Sequence, residues 1–390
     1  MRDGWEKKKL GEVCVIERGG SPRPIQSYLT DDPNGLNWIK IGDAVEGSKY
    51  IVSTKERIIP EGLKKTRFVH KGDFLLSNSM SFGRPYILAI DGCIHDGWLV
   101  IHDADNRFDK SFLYYYLSSK NIYAEFKRLA VGGVVNNLNS ELVRNVNVSI
   151  PPLSEQERIV EELDLLSGII EKKRQQLKEL DNLAQSIFYD MFGDPITNEK
   201  DWEVKKLGDV CCSDLGKTLD VKKNKGDLYG YLCSINVQWG YFDMSTIKEM
   251  RLEADELERY SVRKGDLLIC EGGDTGRCAI WNNDNVIYYQ NALHRVRFIP
   301  NSVLPIFCQF VMHYLKENGE IDKYSKGQTI KHLVKSALLS IPIPIPSLSL
   351  QQSFATKIEA IEKQKELIKQ SLAETETLFN SRMDYYFSEE

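Results

Sequence analysis

The sequence predicts an α+β protein in which two similar α/β domains are joined by two long antiparallel coiled-coil helices with pseudo-twofold symmetry. Three observations predict it. From Ser154 to Phe192 the apolar residues Ile159, Leu163, Leu166, Ile170, Leu177, Leu180, Ile187 and Met191 fall in a 4,3 heptad spacing, with Lys173 and Ala184 filling the gaps. A second stretch from Ser349 keeps the same spacing through Phe354, Ile358, Ile361, Ile368, Leu372, Phe379 and Tyr386, with Lys365, Thr375 and Arg382 at seam positions. Everything ahead of the first seam then recurs ahead of the second, offset by about 195 residues.

The recurrence is residue by residue. Trp5-Glu6-Lys7-Lys8-Lys9-Leu10-Gly11-Glu12-Val13-Cys14 returns as Trp202-Glu203-Val204-Lys205-Lys206-Leu207-Gly208-Asp209-Val210-Cys211, and Lys71-Gly72-Asp73 returns as Lys264-Gly265-Asp266. Ile150-Pro151-Pro152-Leu153-Ser154-Glu155-Gln156 returns as Ile345-Pro346-Ser347-Leu348-Ser349-Leu350-Gln351. Boundaries follow at 1–153, 154–194, 195–348 and 349–390.

In the first copy Trp5 to Arg18 reads as a short strand or helix and a polar Gly/Pro loop follows. Strand-like runs come next at Asn37 to Ile41, Phe74 to Ser77, Tyr86 to Ile90 and Leu99 to Ile101. Phe112 to Leu129 reads as one amphipathic helix, and Asn145 to Ile150 as a last strand. The second copy repeats these parts with strands at Asp266 to Cys270, Val286 to Tyr289 and Ile341 to Pro346, and a helix at Pro305 to Leu315. Ser154-x-x-Glu157 and Ser349-x-x-Gln352 have the form of capping boxes, and Gly193 with Pro195 marks the first helix's end. A helix of about 38 residues is about 57 Å long, so a seam this narrow needs a partner along its length.

The rest of the sequence narrows the function by exclusion. The opening MRDGWEKKKL has no apolar signal-peptide core, and no apolar run reaches a membrane span, so a soluble cytoplasmic protein is expected. Eight cysteines form no C-x-x-C pair, which suggests neither zinc nor disulfides. The net charge is −5, but the two helical stretches carry −4 and −3 and leave +2 elsewhere, which permits DNA binding without demanding it. Ile150-Pro151-Pro152-Leu153 lacks the flanking residues of an amino-methyltransferase turn. Gly216-Lys217-Thr218 resembles the tail of a phosphate loop, with Cys211 where its first glycine is required. His95-Asp96 and His102-Asp103 read as hydrogen-bonded strand-edge pairs rather than as an acid/base or metal site.

Recognition is what remains. Two polar loops stand in equivalent places after a strand, and Asn78, Ser79, Arg84 in one and Asp274, Thr275, Arg277 in the other are candidates to read base edges. A second pair of loops adds Asn136 and Asn137 in the first copy, Gln328 and Lys331 in the second. The copies keep the frame and vary the tips, as two readers of different sequences would. A coiled-coil scaffold adaptor carrying two protein-binding modules is the alternative reading.

The repeated W-E-x-K-x-L-G-[DE]-V openings at Trp5 and Trp202, the K-G-D segments at Lys71 and Lys264, and the I-P-x-L-S-x-Q helix entries at Ile150 and Ile345 together resemble the specificity (S) subunit of a Type I restriction-modification system. That resemblance covers the whole chain. It implies two target recognition domains, each binding one half of a split sequence in double-stranded DNA, and helices that act as a spacer. It further implies two DNA-methyltransferase (M) subunits and restriction (R) subunits as partners. S-adenosylmethionine, ATP and Mg would be bound by those partners, with no cofactor, metal or catalytic residue in this chain.

Overall fold

The computed structural model describes residues 4–45, 47–78, 82–130, 138–220, 222, 224–327 and 331–388. The chain forms two compact units, Met1–Arg174 with Gln370–Glu390, and Gln175–Lys369, so each unit holds one copy of the repeat and parts of both long helices.

In the first unit the opening strand Glu6–Lys9 pairs antiparallel with Asn147–Ile150, which fastens the start of the copy to its end. The single turn of helix Leu10–Val13 buries Leu10 and Val13 and hands the chain to the strand Val15–Arg18. That strand edges a five-stranded sheet continued by Trp98–His102, Phe74–Ser77, Pro85–Leu88 and Tyr50–Ile51. A second five-stranded sheet runs Leu29–Thr30, Glu56–Ile58, Leu36–Ile39, Gly92–Ile94, Arg67–Val69. The expected single helix is two, Lys110–Ser118 and Lys120–Ala130. Ser119 breaks it: its backbone is extended, its N–H donates to the Tyr116 carbonyl and its own carbonyl accepts from Tyr123.

The second unit repeats the plan with two four-stranded sheets. One runs Cys211–Leu215, Leu293–Phe298, Leu267–Cys270, Cys278–Ile280; the other runs Lys248–Leu252, Asp227–Leu232, Ile287–Tyr289, Ser261–Val262. Its helix Pro305–Glu317 ends at Gly319, whose φ of +73° is costly for residues with a Cβ, and a short helix Glu320–Tyr324 follows.

Both long helices have 40 residues, Leu153–Phe192 and Leu348–Phe387. The expected capping boxes do not form, because each helix begins one residue before its serine. Glu155 and Gln156 donate to the Pro152 carbonyl, so Pro152 already opens the first turn and Ser154 lies within it. The stop at Gly193 is as expected: φ is +73° and its N–H donates to the Tyr189 carbonyl at 2.8 Å.

The helices pair antiparallel within each unit. In the first, Ile159 and Leu163 are fully buried in the core with Met383, Tyr386 and Phe387, and Phe387 packs edge-on to Phe112 and Tyr116. In the second, Phe188 and Phe192 pack against Phe307 and Phe354. The seam therefore shifts near its C-terminal end from Ile187 and Met191 to Phe188 and Phe192, the larger side chains filling the domain core.

The three polar seam positions of the second helix all find partners. Lys365 bridges Asp181 and Glu362 at 2.7 Å each; the Lys173 ammonium donates to the Thr375 hydroxyl at 2.7 Å and to the Ser371 carbonyl at 2.8 Å; Arg382 pairs with Glu162.

Candidate DNA-recognition loops

In each copy the sheet edged by the strand after the opening helical turn, Val15–Arg18 or Cys211–Leu215, presents a hairpin held by the same bonds. In the first copy Ser77 donates to the Arg84 carbonyl at 3.0 Å and Gly83 to the Ser77 carbonyl at 2.7 Å. In the second Cys270 donates to the Arg277 carbonyl at 2.8 Å and Gly276 to the Cys270 carbonyl at 3.0 Å. Gly83 and Gly276 have φ of +76° and +88°, and a Cβ there would press on Phe126 and Ile321 respectively. Both features make glycine the fitting residue at these two corners.

The next residue is the node of the site. Asn78 donates its N–H to the Gly97 carbonyl and accepts from Leu138; Glu271 donates to the Ala292 carbonyl and accepts from Leu333, all at 2.7 to 2.9 Å. Three segments thus converge twice: the hairpin tip, the turn before the strand at Trp98 or Leu293, and the end of the second loop at Leu138 or Leu333. That last bond joins the hairpin to the described residue that closes the second loop in each copy, Leu138 or Leu333.

Side-chain placement sorts the candidates. Asn78 and Thr275 are each 1% exposed, so in this conformation they brace the loop instead of facing outward. The Asn78 amide donates to the Asp96 carbonyl at 3.1 Å, and the Thr275 hydroxyl lies 3.2 Å from that of Ser325 and 3.5 Å from the Lys316 ammonium. The Arg277 guanidinium is largely covered and donates to the Ser234 carbonyl at 2.9 Å. Arg84 is half-buried at the foot of its hairpin. Asp274 and Lys331 are the more open candidates, with side chains 38% and 48% exposed. Ser79, Asn136, Asn137 and Gln328 lie outside the described residues.

The second site is a charge lattice. Lys316 lies 3.4 Å from Asp274 and 3.3 Å from Asp322, and Lys331 lies 2.8 Å from Asp322. The hydrogen bond from Lys331, reinforced by Lys316, holds the Asp322 carboxyl below its usual range. Glu271 behaves oppositely: burial pushes its carboxyl up, with His332 beside it pulling the other way. Sequence reasoning passed over Glu271, His332 and Lys316. The signal for Glu271 was available, since counting from Lys71-Gly72-Asp73 and Lys264-Gly265-Asp266 places it on Asn78.

The residues set aside as catalytic are placed as hydrogen-bonded structure. The His95 ring accepts from the Gly97 N–H at 2.9 Å and sits 3.0 Å from the Asp96 carboxylate, which also accepts from the Ser21 hydroxyl at 2.8 Å. Burial, the largest influence, lowers the His95 pKa. His102 faces Asp73 at 3.6 Å, not its neighbour Asp103, whose carboxylate accepts from the Phe108 N–H. Lys217 is 6% exposed and paired with Glu256, and a Cβ on Gly216 would lie 2.4 Å from the Tyr289 and Gln290 carbonyls, so this turn exists for close backbone approach and not for phosphate. Among the described residues, no group of three or more His, Cys, Asp or Glu side chains could hold a metal ion, and no helix is long and apolar enough to cross a membrane.

A frame built twice, with loops of different sequence on each, defines a recognition protein with two similar units. Residues 2–182 and 199–377 both match the Type I restriction modification DNA specificity domain, and the chain belongs to this family of specificity subunits, whose function is DNA target recognition. It is 27% identical over 225 residues to the Type I restriction enzyme MjaIX specificity subunit of Methanocaldococcus jannaschii, a match covering 53% of this chain and about half, 51%, of that relative. To the EcoBI specificity subunit of Escherichia coli it is 21% identical over 394 residues, 93% of this chain and 80% of the other. A chain from a structure describing complex assembly and conformational transition of the type I R-M system has the same fold, with a TM-score of 0.61 at 19% identity over 99% of this chain and 98% of that one. The S subunit from M. genitalium does too, at 0.55 and 15%, covering 99% and 96%.

Proposed function

We propose that each copy reads one half of a bipartite target in double-stranded DNA, and that the two long helices set the unread spacing between the halves and dock two DNA-methyltransferase subunits. The observation that carries this reading is the repeated node at Asn78 and Glu271, a constant frame under variable tips. In the second site Asp274 and Glu271 suit cytosine amino groups, which donate, while Lys331 suits guanine acceptors or phosphate. In the first, Arg84 suits guanine, and Arg23, 84% exposed on the loop beside Asp96, suits phosphate. Asn136, Asn137, Ser79 and Gln328 remain candidates on the sequence pattern alone. On this reading the chain does no chemistry, S-adenosylmethionine, ATP and Mg belong to methyltransferase and restriction partners, and the complex works in the cytoplasm.

Co-expression with a Type I methyltransferase subunit from the same host, followed by mapping of methylated adenines, tests this. The expected result is one split motif, absent when either protein is expressed alone. Methylation of the same motif by the methyltransferase alone would refute it. Absence of salt-dependent DNA binding by the assembled pair would favour a protein-binding adaptor instead.

A further inference from the structure

Each copy buries one glutamine completely at the same place. Gln156 and Gln351, both 0% exposed, lie in the first turn of the long helices. The Gln156 side-chain oxygen accepts from the Asp109 N–H at 2.8 Å, and its amide donates to the carbonyls of Arg107 at 2.8 Å and Pro151 at 2.9 Å. The Gln351 oxygen accepts from the Leu304 N–H at 2.8 Å, and its amide donates to the Pro346 carbonyl at 2.9 Å. Asp109 and Leu304 are the residues that cap the helices Lys110–Ser118 and Pro305–Glu317. Those helices carry Phe112 and Phe307, both fully buried in the core that includes the long helices.

Each glutamine therefore ties together the segment that ends the domain, the start of its long helix and the cap of the domain's main helix. Only a neutral group that both donates and accepts can make these bonds. A methionine would fill the same volume without desolvating an amide, so the amide contributes direction more than burial energy. The bonds are directional where the surrounding aromatic packing tolerates tilt.

We propose that Gln156 and Gln351 are positioning residues for target spacing: each fixes the angle at which a recognition domain leaves its long helix, and so restricts the number of unread base pairs that the complex accepts. This rests on the reading of the helices as a spacer. The leverage is large. Recognition loops on a domain of about 150 residues lie on the order of 20 Å from such a pivot, so a tilt of about 10° moves them about 3.5 Å, one base-pair step of about 3.4 Å.

The test uses the full chain assembled with its methyltransferase subunit, as wild type and as Gln156→Met, Gln351→Met and Gln156→Asn. Adenine methylation rates are compared on DNAs carrying the same half-sites with the native spacing and with one base pair more or fewer. The expected result is that the preference for native spacing falls about tenfold in the methionine variants, as for loss of a hydrogen bond or two, with both half-sites unchanged. Because the readout is a ratio, it does not depend on the fraction of folded complex. Should the methionine variants fail to assemble, the asparagine variant, shorter by one methylene, carries the test. A wild type that discriminates spacings and variants that lose rate equally at all three would overturn this inference alone. A wild type that accepts all three equally would overturn the spacer reading with it.

Discussion

Replacing Arg382 with methionine isolates the polar grip of the second long helix on the first. The Arg382 guanidinium donates to Glu162 at 2.8 Å and to the Tyr386 hydroxyl at 2.7 Å, with the two charged side chains 31% and 33% exposed. Exposed pairs contribute about 0.2 to 1 kcal/mol and breaking a buried one costs about 3 to 5, so this paired, half-covered arrangement should couple by about 1.5 kcal/mol. The measurement is a double-mutant cycle with Arg382→Met and Glu162→Gln, read by urea unfolding of the full chain. The sign with pH follows from the carboxylate. The hydrogen bond from Arg382 holds Glu162 below its ordinary value of 4.5, so the stabilisation is complete above 4.5 and is lost as pH falls through the lowered value. The wild type should lose this increment in acid, and Arg382→Met should not. Single-variant effects that add to within about 0.3 kcal/mol would refute the reasoning, since independent sites behave that way.

Three further outcomes are expected. Phe192→Ala and Phe387→Ala, each removing a nearly buried ring from a domain core, should each cost about 3 to 5 kcal/mol by chemical denaturation. His294, fully buried with Nε2 2.7 Å from the Leu333 carbonyl, has its pKa pushed below the ordinary 6.5 by burial; its contribution is complete above 6.5 and lost as pH falls further, so DNA binding assayed at about pH 5 should weaken at the second half-site, with the first copy, which has Leu99 there, less affected. Lys331→Ala or Asp274→Ala should cost about 1 to 3 kcal/mol in binding at one half-site and Arg84→Ala at the other; equal loss at both, in competition assays, would show that these side chains act through folding.

What the sequence made legible was whatever repeats with a fixed period. The seam residues Ile159, Leu163, Phe354 and Ile358 are buried because heptad spacing is a local property that a partner helix only has to accept. The helix break at Ser119 was not legible, because Phe112 to Phe126 keeps a helical spacing across it and the break depends on one serine adopting an extended backbone. Strands such as Gly92–Ile94 and Ser261–Val262 were missed for a related reason: two or three residues carry no period, and their pairing with Arg67–Val69 and Ile287–Tyr289 is decided by tertiary contacts. Within the recognition loops, the residue types pointed to the right segments. They could not separate Thr275, turned inward onto Ser325, from Asp274 beside it, because that difference is set by the turn at Gly276 and the packing of Ile321 beneath it.

The polar seam residues also explain how two such helices find one register. Lys365 lies opposite Asp181, Lys173 opposite Thr375, and Arg382 opposite Glu162. A slip of one heptad in one direction would keep a carboxylate, Glu155, for Arg382, but would set Lys365 against Arg174, two cations in a half-buried seam. A slip in the other direction would set Arg382 against Ile169 and Lys365 against Phe188, so Arg382 would lose Glu162 and Lys365 would keep only Glu362 of its own helix. Apolar seams alone tolerate such slips, since one leucine replaces another every seven residues. The internal repeat sharpens the point. The residues equivalent to Arg382 and Glu162 in the other copy are Ile187 and Lys357, so the charge pair is present in one unit and has no counterpart by sequence in the other. The repeat therefore holds in the order of elements and fails in the seam's chemistry, and that failure gives each helix a reason to pair with the other in preference to a second copy of itself: in a pair of second helices Arg382 would face Lys357, and in a pair of first helices Glu162 would face Ile187.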